Sequence, residues 1–117
     1  MGNDAVVDNL LQELRRGVIV LAVLGTLNEE QYGYSILKLL SDRGLDVDQG
    51  TLYPLLRRLE GQGLLQSNWK LEEARPRRYY VISDEGRRVL PIIKQEWDRM
   101  TGTVSALLSE EVQDESR

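Results

Sequence analysis

The 117-residue sequence predicts a mainly α protein with one small β-hairpin, and three observations predict it. Apolar residues recur with a helical period through residue 60, the pattern changes to strand-like content over residues 64–82, and a regular apolar stripe returns over residues 83–108. The length suits a single domain spanning 1–117 with one modest core. Within it, residues 15–82 form the helical unit with its hairpin, 83–108 a long terminal helix, and 109–117 a polar, disordered tail.

The first helix is expected over residues 4–26, with Asn3 or Asp4 as its cap and Val7, Leu11, Leu14, Val18 and Leu21 as its apolar seam. Asn28, Glu29 and Glu30 are read as starting a second helix, whose core face carries Tyr34, Leu37 and Leu40, widened by Ile36 and Leu39. Arg43-Gly44 ends it, a cation in the last turn followed by the residue best suited to a left-handed cap. Asp48 is a candidate cap for the third helix, but a start near Gly50 or Thr51 is preferred because it places Pro54 in the first turn, where a missing N–H costs least.

Gly61 and Gly63 break the third helix, and an extended segment runs from Leu64-Leu65 through Ser67, Trp69 and Leu71. Glu72 to Pro76 is read as a polar turn, and Arg77-Arg78-Tyr79-Tyr80-Val81-Ile82 as the returning strand. Ser83 suits a helix cap, with Asp84 and Glu85 favourably placed in the first turn of a last helix that runs to about Leu108. Leu90, Ile93, Trp97, Met100, Val104 and Leu107 are spaced three or four apart along it, a heptad seam with little domain left to bury it. A second copy of the chain is the economical partner, and Leu11 and Leu14 of the first helix belong to the same expected interface. Pro91 removes one helical hydrogen bond and is expected to bend the helix near its start.

The third helix carries the most information about function. Leu52, Leu55, Leu56 and Leu59 fall on one stripe, while Gly50, Pro54 and Arg57, flanked by Thr51, Tyr53 and Arg58, occupy the other side. A greasy back with a small, polar, cationic front suits a helix that enters a DNA groove. The net charge of −4 argues against a polyanionic partner until its distribution is examined. Residues 1–48 hold 4 basic and 8 acidic groups, residues 49–82 hold 6 and 3, and residues 83–117 hold 5 and 8. The basic balance therefore coincides with the third helix and the hairpin, and screening over about 10 Å makes this local patch count for more at contact than the whole-chain sum.

Other functions find less support. Without cysteine or histidine the chain lacks thiolate and imidazole ligands and the commonest general base, and no carboxylates or tyrosines stand in a recognisable catalytic arrangement. No catalytic, metal or cofactor site is expected. The longest apolar run, Val18 to Leu24, is too short to span a membrane, and acidic residues stand where a signal peptide needs positive charge, so the chain reads as a soluble cytoplasmic protein with no membrane partner.

Helix, helix-turn-helix, hairpin and terminal helix add up to a winged helix-turn-helix. The chain resembles the PadR family of bacterial transcriptional regulators, in the small subgroup with a single C-terminal dimerisation helix. The resemblance covers roughly residues 15–100 and rests on Tyr32-Gly33-Tyr34, Gly50-Thr51-Leu52-Tyr53-Pro54-Leu55-Leu56 with Arg58-Leu59-Glu60, Gly63-Leu64-Leu65, and Arg77-Arg78-Tyr79-Tyr80 followed by Ser83-Asp84-Glu85-Gly86. Family members commonly have more glycine at the wing tip, where this chain has Glu72-Glu73-Ala74-Arg75-Pro76.

The resemblance implies a homodimeric repressor that binds double-stranded DNA at a palindromic operator, with the third helix in the major groove and the wing along the backbone or minor groove. The expected DNA-facing residues are Gln49, Thr51, Tyr53, Arg57, Arg58, Arg75, Arg77 and Arg78, with Arg57 or Gln49 reaching base edges. Arg77 and Arg78 alternate along a strand, so at most one touches DNA while the other meets an acidic neighbour; Tyr79 and Tyr80 are both read as core, and Gly33 as a site of close helix packing. In some family members two tryptophans of the terminal helix flank a hydrophobic pore for flat aromatic compounds. Trp97, with Ile93 and Met100, is therefore either part of an effector site or an ordinary interface anchor. The alternative to DNA binding is a winged-helix module that docks another protein through its acidic surface.

Overall fold

The computed structural model describes the backbone of residues 2–115 and the side chains of residues 4–109. The chain runs α1 (Gly2–Thr26), β1 (Gln31–Tyr32), α2 (Gly33–Asp42), α3 (Gln49–Gly61), β2 (Leu65–Glu72), β3 (Arg75–Ile82) and α4 (Asp84–Glu115). The apolar periodicity is realised as one core in which Ile19, Val23 and Leu24 of the α1 end and Leu27 just beyond it meet Ile36 and Leu40 of α2, the four leucines of α3, and Leu65, Tyr80 and Ile82 of the sheet. Burial of each large aliphatic side chain contributes about 1.5–3 kcal/mol, so this cluster dominates the stability of the unit.

The expected glycine stops hold at Gly44 and Gly63, whereas Arg43 is the C-cap of α2 and lies outside its last turn, and Gly61 is still the last residue of α3. After α2 and after α3 the chain passes through glycine with positive φ, +93° at Gly44 and +82° at Gly63. The amides that follow close back on the helices: Leu45 N–H donates to Leu40 O at 2.8 Å and Leu64 N–H to Leu59 O at 2.9 Å. Ser83 caps α4, its hydroxyl oxygen accepting from Gly86 N–H at 2.9 Å while the hydroxyl donates to Gly63 O at 2.6 Å. The long last helix is thus tied directly to the exit of α3.

Several expected boundaries are corrected. Helix α1 begins at Gly2, which puts Asp4 inside its first turn, beside the N-terminal dipole, in place of a capping role. The segment Asn28–Glu30 does not start a helix: the chain turns there, and Gln31–Tyr32 pairs as a short strand with β3, Gln31 opposite Tyr80 and Tyr32 opposite Tyr79. This strand adds a third member to the expected hairpin and gives an antiparallel sheet of order β1-β3-β2. A tertiary bond and a local one hold it: Ile82 N–H donates to Leu27 O at 2.8 Å, and Gln31 Nε2 to Thr26 O five residues earlier at 2.6 Å.

Helix α3 begins at Gln49, because Asp48 is its N-cap and accepts from Thr51 N–H at 2.7 Å. The preferred later start is overturned, and Pro54 lies past the first turn. There its ring faces solvent, and the bond its nitrogen lacks is offset by the cap and the buried leucines. The returning strand begins two residues earlier than expected and β2 reaches one residue further, with Leu71 opposite Pro76 and Glu72 opposite Arg75, so the polar turn shrinks to Glu73-Ala74. The last helix continues past Leu108 to Glu115 and replaces most of the expected tail; residues 116 and 117 lie outside the described residues. It stays one helix through Pro91.

Glu73 and Ala74 have φ of 49° and 64°, the paired left-handed conformation of a type I′ hairpin turn. A side chain carries a penalty there that glycine escapes, which accounts for the resemblance's glycine-rich tips. Ala74→Gly is expected to raise stability by about 1 kcal/mol, measured by urea unfolding; a loss of stability would show that the turn is not left-handed.

Candidate nucleic-acid interface

Turning its leucines inward fixes what α3 presents to solvent. Leu52, Leu55, Leu56 and Leu59 are buried, and Gln49, Thr51, Arg57 and Arg58 are exposed on the other side. The wing stands beside this surface. Between α3, the start of α2 and the wing lies a concavity of about 620 Å³, whose lining includes Arg57, Arg75, Arg77 and Arg78 together with Tyr32, Tyr34, Tyr53, Trp69 and Tyr80. Four guanidinium groups around an aromatic floor form a surface suited to a phosphate backbone, since arginine donates in a planar fork and aromatic faces accept sugar or base contacts.

The structure brings five of the expected DNA-facing residues, Tyr53, Arg57, Arg75, Arg77 and Arg78, into this concavity. Gln49, Thr51 and Arg58 are exposed on α3 outside it. Tyr53 is half-buried, its ring over the start of α2: a Cβ added at Gly33 would lie 2.3 Å from the Tyr53 ring. The close packing expected at Gly33 is therefore with Tyr53, which is shared between the core and the outer surface.

Arg77 and Arg78 both meet acidic neighbours. Arg78 Nη2 donates to Glu60 Oε1 at 2.7 Å and is half-buried, whereas Arg77 approaches Glu72 at 3.8 Å and stacks over the Tyr32 ring at 4.5 Å. The expectation that Arg77 and Arg78 would divide these roles is thus only partly met. Arg57 and Arg75 are the exposed guanidinium groups of the concavity.

Tyr79 and Tyr80 are both buried, at 9% and 6% exposure. Tyr79 packs edge-on against Tyr32 with ring centroids 5.4 Å apart and donates its hydroxyl proton to Glu72, an arrangement that pushes its pKa above the ordinary tyrosine range. Burial raises Tyr80 in the same direction. On the outer face of the wing Glu30 accepts from Lys70 and Asn68, and the Lys70 hydrogen bond holds its carboxyl below the usual glutamate range.

Three contributors escaped the sequence reading. Tyr34 was expected in the core but is 59% exposed, because α2 starts at Gly33 and leaves it on the first turn, beyond the packed face. Tyr32 became available only through the unforeseen strand β1. Trp69, 65% exposed on β2, carried a legible signal: an aromatic residue in a strand whose core contacts end at Leu65.

The family model for the PadR-like transcriptional regulators matches residues 20–91, which takes in the α1 end, α2, α3, the wing and the start of α4. The chain belongs to the PadR family. Its fold is similar to that of a PadR family transcriptional regulator from Eggerthella lenta, with a TM-score of 0.88 and 45% identity over 92% of this chain and 96% of that one. A PadR-like transcriptional regulator from Bacillus cereus matches with a TM-score of 0.72 and 33% identity over 82% of this chain and 96% of that one. Among curated proteins, the transcriptional regulator Rv3488 of Mycobacterium tuberculosis is 37% identical over 81 residues, 68% of this chain and 76% of that protein. PadR-family proteins are DNA-binding transcriptional regulators, and the chain is a regulator of this kind, not an enzyme. No described helix is long and apolar enough to cross a membrane.

The Lys70 contact makes a prediction about Glu30. Lys70→Ala is expected to raise the Glu30 titration midpoint toward the ordinary carboxylate range, read by side-chain NMR. The sign follows from the depressed pKa of the folded state: the contact stabilises at neutral pH and is lost as pH falls through the Glu30 pKa. An unmoved midpoint would assign the shift to another group.

Proposed function

We propose that this PadR-family chain is a repressor that acts in the cytoplasm as a homodimer on a palindromic operator, each protomer placing α3 in a major groove and its wing along the adjacent backbone. The observation that carries this reading is the coincidence of the local basic excess, the exposed face of α3 and the arginine-lined concavity on one side of the molecule. Arg57 is the residue best placed for a base edge, Gln49 the second; Arg75 and Arg77 serve the phosphates, and Thr51, Tyr53 and Arg58 border the contact.

Self-association is supported by the apolar side chains that the monomer leaves uncovered. Ile93, Trp97, Met100, Val104 and Leu107 of α4 are 37–58% exposed, and Leu11 and Leu14 of α1 are 37% and 68% exposed. Leu90 alone of the seam is partly buried against the core. A contiguous apolar face of this size on two helices is the signature of an interface. Pairing two protomers would set the two α3 helices about 34 Å apart, one turn of duplex, which is the geometric reason for an inverted repeat.

Trp97 sits midway along the seam, where it either anchors the dimer or, with Ile93 and Met100, receives a flat hydrophobic effector that releases DNA. For release, such a compound must bind the two forms of the dimer unequally. Family membership favours DNA over a protein as the partner of the α3 face.

Arg57→Ala is expected to weaken operator binding by about 5- to 150-fold in a shift assay, the cost of about 1–3 kcal/mol for a lost bidentate base contact. Affinity should also fall linearly with salt on logarithmic axes. Unchanged affinity in a folded Arg57→Ala dimer would refute this DNA face, and salt-insensitive binding would favour the protein-docking alternative. In the same preparations Trp97→Ala is expected to shift sedimentation toward the monomer; a stable monomer for the unaltered chain at micromolar concentration would remove the operator geometry.

A further inference from the structure

The wing leaves the core early. Short β1 supports β3 only at Tyr79 and Tyr80, and the last deeply buried residue of β2 is Leu65. Beyond that level β2 and β3 form a two-stranded ribbon, with Trp69 and Leu71 of β2 at 65% and 74% exposure. An isolated two-stranded ribbon is marginally stable in water, so the orientation of the wing depends on the contacts at its root.

Two carboxylates hold that root from opposite faces. On the α3 side, Glu60 Oε1 accepts from Arg78 Nη2 at 2.7 Å and Oε2 accepts from the Ser67 hydroxyl, while Arg78 Nε donates to Ser67 Oγ at 3.1 Å. The triangle closes on itself, and both charged side chains are half-buried at 28% and 35% exposure. On the other face Glu30, in the turn before β1, accepts from Asn68 Nδ2 at 2.9 Å and from Lys70 Nζ. Ser67, Asn68, Lys70 and Arg78 are the residues at which the ribbon leaves the core.

Glu60 stands in the last turn of α3, beside the surface proposed for phosphate contact. Considered only as a charge it repels DNA and neutralises one arginine. We propose that Glu60 is a positioning residue for DNA recognition, fixing the wing against α3 so that Arg57, Arg75 and Arg77 are presented at a set separation, with Glu30 completing the clamp from the other side. The inference rests on the DNA-binding reading above. Its physical basis is preorganisation: a wing already ordered in the free protein loses less conformational freedom when it seats on duplex, so the specific complex gains more than the added repulsion costs. The nonspecific complex, which needs no fixed geometry, gains nothing from the clamp.

The test uses the full chain and two labelled duplexes, one enriched from a random-sequence pool on the unaltered protein and one of unrelated sequence and equal length. Glu60→Gln keeps the shape and removes the charge. It is expected to weaken the enriched duplex about tenfold while the unrelated duplex binds equally or more tightly, so selectivity falls although the face has become more positive. Tighter binding of both duplexes would overturn the proposal in favour of simple repulsion. A second measurement is independent of DNA: in a Trp97→Phe background Trp69 is the sole tryptophan, and Glu60→Gln is expected to lower its fluorescence anisotropy as the wing is released. Unchanged anisotropy would overturn the clamp even if DNA affinity fell. Glu30→Gln acts from the opposite face and is expected to give the same pattern, which keeps the test decisive if one variant folds poorly. If the unaltered chain enriches no duplex, the DNA-binding reading fails, and the anisotropy still decides whether the carboxylates hold the wing.

Discussion

Burial of Leu52, Leu55, Leu56 and Leu59 sets the rotation of α3 about its own axis, and the placing of every outward residue on that helix follows from it. Turning the helix by one residue, about 100°, would expose leucine to water and carry Arg57 toward the core, a loss of several kcal/mol with no compensating contact. The Asp48 cap and the Gly63 exit fix where the helix begins and ends. The chemistry of the proposed groove contact is therefore a consequence of apolar packing on the hidden side of the same helix.

The wing depends on different forces. Its inner half is core, through Leu65, Tyr80 and Ile82, while its outer half is held by ion pairs and cation–aromatic contacts at its root. Such partly exposed pairs contribute modestly to stability, and their better-attested use is to select one geometry among several of similar energy. The chain's acidic total is compatible with a polyanionic partner for the same local reason. Glu30, Glu60 and Glu72 each bond within the wing region, which leaves Arg57 and Arg75 as the groups turned outward.

Helices α1 and α4 extend beyond the core that holds the remaining elements together. The molecule measures 67 Å in its longest dimension against 23 Å in its shortest, an aspect that a small monomer adopts at the expense of exposed apolar surface. The uncovered seam residues of α4 and the leucines of α1 account for that surface. Ser83, bonded at once to α4 and to the exit of α3, ties the long helix to the recognition helix, so a dimer formed through α4 would fix the relation between its two α3 helices.

By itself the sequence determined the helices, their glycine stops, the Ser83 cap, the inward stripe of α3 and the local basic excess, because each is written in residue spacing or in short-range bonding that any surrounding fold must respect. It also carried the linked motifs by which the PadR family is recognised. Tertiary structure decided what depends on partners distant in the chain. Strand β1 exists because Tyr32 and Gln31 find Tyr79 and Tyr80 nearly fifty residues later, and that pairing moved the start of α2 and put Tyr34 outside. Asp48 and Pro54 presented a local conflict, a good cap against an early proline, and the folded helix keeps the cap, with Asp48 bonded to Thr51 N–H and the four leucines behind it buried. Which arginine is free and which is held could not be read from alternation along a strand, since Arg78 is claimed by Glu60 from a helix 18 residues away, a contact that only the folded chain brings within reach.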